Sequence, residues 1–92
     1  MGFLDSYKQK ALLKKGNNFH GQGKYQEAFD CYDKIICINP DHAKAWHEKG
    51  RVFHSLKEYE NALKCFDKVI NLDPTYFRGW DSKRDRFHEF KK

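Results

Sequence analysis

Histidines and cysteines are the side chains in this sequence with the widest range of chemistry. His20, His54 and His88 recur 34 residues apart, which raises the question of a shared metal ion. Zinc holds nitrogen ligands at about 2.0–2.1 Å, whereas equivalent positions on neighbouring packed helices lie roughly 8–10 Å apart. A histidine column of this kind therefore predicts no metal site, and nothing else in the sequence indicates a cofactor.

The cysteines indicate reduced thiols rather than disulfides. There are three, an odd number, and no two of them form a CxxC pair. Cys31 and Cys65 stand at the same 34-residue spacing as the histidines. This usage is typical of a cytoplasmic protein, because disulfides accumulate in oxidising compartments.

No arrangement of nucleophiles predicts catalysis. The three serines, Ser6, Ser55 and Ser82, lie outside the Gly-x-Ser-x-Gly context that exposes a nucleophile. The glycines are isolated and build no phosphate-binding loop. We therefore expect a protein that is not an enzyme.

The charge balance favours an acidic partner. The 92 residues carry a formal net charge of +5, and 34% of them are charged. An anionic peptide, a nucleic acid or an anionic surface would all suit that charge. No run of about twenty apolar residues is present, so no membrane span is expected.

An internal repeat organises these residues. YQEAFDCYDKIICINP begins at Tyr25 and YENALKCFDKVINLDP begins at Tyr59, 34 residues later. The offset predicts one domain over 1–92, with repeat one at about 9–42 and repeat two at about 43–76.

Each repeat is predicted to be a pair of helices. Apolar residues recur three and four positions apart on both sides of a short polar link. Gly16 and Gly50 fall mid-helix, where glycine costs about 1 kcal/mol relative to alanine. We expect each to face an alanine, Ala28 or Ala62, where the two helices cross closely. Proline ends the second helix, and Asp41 is expected to cap the helix that follows.

The start of a third unit is predicted to be a capping helix at about 76–90. At the position that holds Gly16 and Gly50 in the two repeats, the third unit has Arg84. The sequence stops at Lys92, before a partner helix. One face is apolar and the other polar, as expected of a terminal helix. The apolar positions are Phe77, Trp80, Phe87 and Phe90.

These residues resemble the tetratricopeptide repeat family, whose motif is a 34-residue helix–turn–helix. Repeat two carries the motif at Trp46, Lys49-Gly50, Phe53, Tyr59, Ala62, Phe66, Val69 and Pro74. Repeat one carries it at Leu12, Lys15-Gly16, Phe19, Tyr25, Ala28, Tyr32, Ile35 and Pro40. The resemblance implies an all-α solenoid of two repeats plus the capping helix, five helices in all. It also implies a groove lined by the first helix of each unit.

The family resemblance implies an adaptor that holds another protein, here an acidic peptide or a C-terminal tail. The free face of the first helices is predicted to bind it, and Leu13 and Glu48 are expected on that face too. The predicted peptide-binding residues are Lys10, Lys14, Asn17, His20, Lys44, His47, Arg51, His54 and Arg78.

Some family members grip chaperone tails with a five-residue carboxylate clamp. Asn17 and Arg78 match that clamp, whereas Leu13, Glu48 and Ser82 do not. Two matches in five do not support a prediction of chaperone-tail binding, and we make none. Two other hypotheses stay open: a nucleic-acid-contacting basic module, and a scaffold that self-associates into a homo-oligomer through its ends.

Overall fold

The structure, a computed structural model, describes residues 2–76, with side chains from residue 5 onward. Residues 2–76 form helices and turns without a strand, which confirms the all-helical prediction for this part of the chain. The predicted capping helix at 76–90, and Arg78 with it, lies outside the described residues. The four helices are α1 (Gly2–Gly21), α2 (Tyr25–Ile38), α3 (Ala43–Ser55) and α4 (Tyr59–Leu72).

The helices pack as two hairpins side by side. α1 packs along α2, α3 packs along α4, and α3 also packs against α2. Lys49 of α3 pairs with Asp33 of α2 at 2.7 Å, so an ion pair joins the two hairpins. No helix in the described part of the chain combines the length and apolar character needed to cross a bilayer.

Each hairpin closes around a glycine, as predicted, but the residues facing that glycine differ from the prediction. A Cβ added at Gly16 would lie 2.6 Å from the Tyr32 ring and 3.1 Å from Cys31 Cβ. At Gly50 it would meet the Phe66 ring at 2.6 Å and Cys65 Cβ at 3.1 Å. The atoms nearest to each glycine thus belong to the aromatic ring and the cysteine of the second helix, rather than to the expected Ala28 or Ala62.

The turn inside each hairpin is the same in both repeats. The Lys24 N–H donates to the Phe19 carbonyl at 2.8 Å, and the Glu58 N–H donates to the Phe53 carbonyl at 2.9 Å. Gly23 (φ 79°) and Lys57 (φ 64°) both take the left-handed conformation that ends a helix. Repeat two therefore reproduces the turn of repeat one with a lysine in a conformation that glycine adopts more easily.

The core lies between the two hairpins. Its fully buried members come from α2 and α3, and partly buried residues of α1 and α2 pack around them. The Phe29 and Phe53 rings meet across the same interface at 4.7 Å between centroids. The buried members are Ala28, Tyr32, Ile35, Ala45 and Val52.

α3 begins with a cap that differs from the prediction. His42, not Asp41, is the N-cap residue, and its Nδ1 accepts a hydrogen bond from the Ala45 N–H at 3.1 Å. The Asp41 N–H instead donates to the Asn39 side chain within the turn. Burial lowers the pKa of His42, which keeps its ring nitrogen available as an acceptor.

Substitution of Gly16 tests the close crossing. In Gly16→Ala the new methyl group has to displace the Tyr32 ring, which is fully buried. Overpacking of this kind costs about 1–3 kcal/mol. Alanine gains about 1 kcal/mol in helix propensity over glycine, which offsets the low end of that cost but not the high end. We expect a net loss of up to about 2 kcal/mol in the free energy of unfolding, measured by urea denaturation.

Gly21→Ala is the matched control for this measurement. A Cβ at Gly21 would meet no atom within 4 Å. That variant should keep or slightly raise the free energy of unfolding. Equal stability of the Gly16→Ala and Gly21→Ala proteins would show that the helices do not depend on a bare backbone at Gly16.

Candidate functional site

The exposed side chains of α1 and α3 form one continuous surface, which we call the α1–α3 face. His20 of α1 and Ser55 of α3 share a hydrogen bond of 2.8 Å that ties the ends of the two helices together. We assign to this face the predicted residues that the two helices carry. His20 is half-buried, and the exposed ones are Lys10, Lys14, Asn17, Lys44, Arg51 and His54.

A recess of about 370 Å³ lies on the α1–α3 face, between the two helices. It brings together three of the predicted site residues, Asn17, His20 and Arg51. The other lining residues are Gly21, Glu48 and Ser55. Asn17 and Arg51 occupy the same position in the two repeats, so one repeat position supplies both sides of the recess.

Asn17 is oriented by a tyrosine from the helix behind it. The buried Tyr32 hydroxyl donates a short hydrogen bond to Asn17 Oδ1. Burial raises the pKa of Tyr32, and the nearby Glu48 charge raises it further, so the hydroxyl stays protonated as a donor. Because Oδ1 is occupied, Asn17 presents its two Nδ2 hydrogens as donors for an incoming oxygen atom.

Glu48 is the only carboxylate among the residues that line this recess, and it is 4% exposed. Its Oε1 accepts a hydrogen bond from Arg51 Nη1 at 3.2 Å, and its Oε2 lies 3.5 Å from His47 Nδ1. The Tyr76 hydroxyl reaches the same His47 nitrogen at 3.4 Å. Part of the Arg51 charge is therefore already compensated within the recess.

The pKa of Glu48 lies below its ordinary value of 4.5. Burial pushes this pKa upward, but the hydrogen bond with His47 and the charges of Arg51, His47 and Lys44 together outweigh it. The pKa of His20, in the same recess, is lowered by burial and by the charge of Arg51, against the opposing charge of Glu48. Near neutral pH the recess thus holds an ionised Glu48 beside a neutral His20.

Three residues that were expected on the free surface lie elsewhere. His47 is 5% exposed and packs against the rings of Phe66 and Tyr76. Glu48 is buried in the wall of the recess, and Leu13 packs against the core. Successive helix positions point about 100° apart around the axis. Residues 47 and 48 therefore turn toward the core side of α3, whereas Lys44 and Arg51 stay exposed.

The remaining predicted residues lie on the face but outside the recess. Lys10, Lys14 and Lys44 are exposed, and none forms an ion pair with another described residue. His54 is exposed and its ring packs on Tyr59, as His20 packs on Tyr25. His20 and His54 thus pack in the same way on the first tyrosine of α2 and of α4. Among the described residues, no three His, Cys, Asp or Glu side chains converge as metal ligands.

Sequence reasoning missed the part played by Tyr32. One signal was present, because repeat one pairs Asn17 with Tyr32 where repeat two has Arg51 and Phe66. A hydroxyl occurs only in the repeat whose facing residue can accept its hydrogen bond. The compensation of Arg51 by Glu48 had a weaker signal, the i,i+3 spacing of the two residues.

Comparison with known proteins places the chain among helical repeats. Two family models, each described as a tetratricopeptide repeat, match residues 9–42 and 43–76. Human RNA polymerase II-associated protein 3 is 49% identical over 37 residues, 40% of this chain, and its rat counterpart is 46% identical over the same length. The matched segment covers 6% of the length of these relatives.

Two solved structures are similar to this fold. The crystal structure of MamA has a TM-score of 0.71 and 26% sequence identity, covering 76% of this chain and 41% of that chain. A structure described as the first TPR of Spaghetti (RPAP3) bound to the HSP90 peptide SRMEEVD has a TM-score of 0.47 and 24% identity. It covers 95% of this chain and 96% of that chain.

Replacement of Glu48 by glutamine should reduce the loss of unfolding free energy that the protein shows as pH falls. Because the folded-state pKa of Glu48 is lowered, its carboxylate stabilises the fold above pH 4.5, and this contribution is lost as pH falls through the folded pKa. The difference in free energy of unfolding between wild type and Glu48→Gln should therefore shrink below pH 4.5. Urea titrations from pH 7 to pH 3 measure it.

Glu60→Gln is the control, since Glu60 is exposed on α4. Its difference from wild type should stay small over the same pH range. A Glu48→Gln difference that is constant with pH would contradict the assignment of a lowered pKa to Glu48.

Proposed function

Because the chain belongs to the tetratricopeptide repeat family, we propose that it is an adaptor that binds an acidic or carboxylate-bearing segment of another protein on the α1–α3 face. Members of this family are typically protein-interaction modules without catalysis. The observation that carries the proposal is the recess that sets the Asn17 donors beside Arg51, with unpaired lysines on the same face.

The donors on this face suit carboxylates and peptide carbonyls. Lys10 and Lys14 offer ammonium groups that no described carboxylate engages, and Lys44 offers one that acts on Glu48 by its charge without a direct ion pair. Hydrogen bonds between a cation and a carboxylate are about twice as strong as neutral ones. Asn17 adds two neutral donors that suit a backbone carbonyl. Together they favour an extended acidic segment running along α1 and α3.

Glu48 limits how an acidic segment sits in the recess. Its carboxylate would repel a ligand carboxylate placed directly against Arg51. We therefore expect the lysines of the face to bind the acidic side chains and Asn17 to bind the ligand backbone. His20 and His54 form the rim, His47 supports Glu48 from beneath, and Arg78 extends the proposed site beyond the described residues.

The proposed partner is another protein in the cytoplasm. Three free cysteines in so short a chain suit a reducing compartment. The nucleic-acid alternative has less support, because the aromatic rings of the core are unavailable for base stacking. Self-association remains the third hypothesis.

Two variants of opposite sign test the proposal. The probe is a fluorescein-labelled decapeptide of alternating glutamate and serine with a free C-terminus. Lys14→Ala should weaken its binding about three- to tenfold, since a charge-assisted hydrogen bond contributes about 1 kcal/mol or more. Glu48→Gln should strengthen it by a similar factor because it frees Arg51. Fluorescence anisotropy at fixed salt measures both.

Lys64→Ala is the matched control, because it removes the same charge from the exposed surface of α4. It should leave the affinity within about twofold of wild type, since exposed charges beyond a Debye length of about 8–10 Å are screened. Equal weakening by Lys14→Ala and Lys64→Ala would show that binding depends on net charge alone. That result would contradict a site on the α1–α3 face. Tighter binding of oligouridine RNA than of the peptide would favour the alternative.

A further inference from the structure

A second recess lies between α1 and α2, lined by residues within 8–12 of α1 and 30–38 of α2. It measures about 630 Å³ and shares no lining residue with the recess on the α1–α3 face. Leu12, Cys37 and Ile38 supply apolar surface, and two lysines and two aspartates stand around it. The full lining is Lys8, Leu12, Asp30, Asp33, Lys34, Cys37 and Ile38.

The second repeat shows what the fold accommodates at this register. Leu12 corresponds to Trp46, and Lys34 corresponds to Lys68. The Trp46 ring lies 5.8 Å from the Lys68 ammonium nitrogen and 5.6 Å from that of Lys49. Its Nε1–H donates to the Pro40 carbonyl at 2.9 Å. Repeat two thus holds an indole beneath lysine cations where repeat one has only the smaller Leu12.

Charges around the recess complement an aromatic ring. An ammonium group over the face of a ring is attracted by its negative quadrupole, and indole gives the strongest such interaction. Lys34 stands where Lys68 stands in repeat two, and Lys8 lines the same recess. Asp30 lies beside them as an acceptor for an indole N–H, with its Oδ1 receiving one bond from Gln26 at 3.3 Å. Asp33 is paired with Lys49.

We propose that this recess binds an aromatic side chain, tryptophan foremost, presented by a partner polypeptide. The ring takes the place that Trp46 occupies in repeat two, with Lys34 over its face and Leu12 and Ile38 beneath. The recess gives the chain a second contact with a partner, apart from the acidic segment on the α1–α3 face. Cys37, an exposed thiol in the lining, provides a chemical handle for the test.

Disulfide exchange at Cys37 tests the proposal directly. The full chain is incubated with mixed disulfides that join 2-mercaptoethanol to N-(2-mercaptoethyl)indole-3-acetamide, to its cyclohexylacetamide analogue, or to plain N-(2-mercaptoethyl)acetamide. The Cys37 thiolate attacks the ligand sulfur, a new S–S bond forms at Cys37 Sγ, and 2-mercaptoethanol leaves as its thiolate and takes up a proton. The mixed disulfide supplies the oxidation level, so no other oxidant is needed. Peptide-mapping mass spectrometry quantifies each adduct.

The expected order of adduct stability is indole, then cyclohexyl, then acetamide. Release of the indole adduct should need at least fivefold more 2-mercaptoethanol than release of the acetamide adduct. Equal release of the three adducts would overturn the proposal. A cyclohexyl adduct as stable as the indole adduct would overturn its aromatic part.

Leu12→Trp fills the recess from within and is the decisive variant. We call the ratio of the 2-mercaptoethanol needed to release the indole adduct to that needed for the acetamide adduct the indole preference. In the Leu12→Trp protein this ratio should fall to near one, and circular dichroism checks that the variant folds. If this variant fails to fold, Lys34→Gln replaces it and should lower the indole preference about threefold while leaving the cyclohexyl adduct unchanged. A preference that survives both substitutions would place the ring elsewhere. Self-association of the wild type that Leu12→Trp abolishes would assign the recess to a second copy and overturn the separate partner.

Discussion

The fold depends on the close approach of two helices at a glycine in each repeat. Gly16 and Gly50 leave bare backbone beneath the rings of Tyr32 and Phe66, and a single methyl group would lie 2.6 Å from either ring. Because packed interiors leave few voids, this contact fixes how deeply each second helix sits against the first. The buried Cys31 and Cys65 complete the same contact, which gives their repetition a packing reason. The side chains on the opposite surface of α1 and α3 are positioned by this crossing, because it sets how the helices of each repeat pack.

The two repeats share the same helix pairing, and they differ in the side chains at equivalent surface positions. At one repeat position Asn17 accepts from Tyr32, whereas its counterpart Arg51 pairs with Glu48. One side of the recess on the α1–α3 face therefore offers neutral donors and the other offers a compensated cation. A similar exchange places the Trp46 ring near Lys68 in repeat two and the smaller Leu12 at the edge of an open recess in repeat one. Equivalent positions of the two repeats thus carry side chains of different chemistry.

A buried carboxylate makes the charge of this surface less uniform than the net charge suggests. Glu48 is ionised because Arg51, His47 and Lys44 outweigh the cost of burying it. Leaving such a group without partners would be strongly unfavourable, so His47 and Arg51 are held in place as much as Glu48 is. The face consequently divides into unpaired lysines and a nearly neutral recess. The positive charge of the face is therefore carried mainly by exposed lysines rather than by the residues of the recess.

The sequence by itself determined the helices, their pairing and the glycine crossing. The reason is that a 34-residue repeat with helical apolar spacing leaves few alternatives. It also placed Asn17, His20 and Arg51 correctly on one face, because residues three and four apart share a side of a helix. Only the tertiary structure decided the rotation of α3, which buries His47 against Phe66 and Tyr76 and buries Glu48 beside His47 and Arg51. Only it showed that the glycines face rings rather than alanines, and that Leu12 borders an open recess. These features depend on the depth and angle at which helices meet, which arise from the fit of side chains across the whole core.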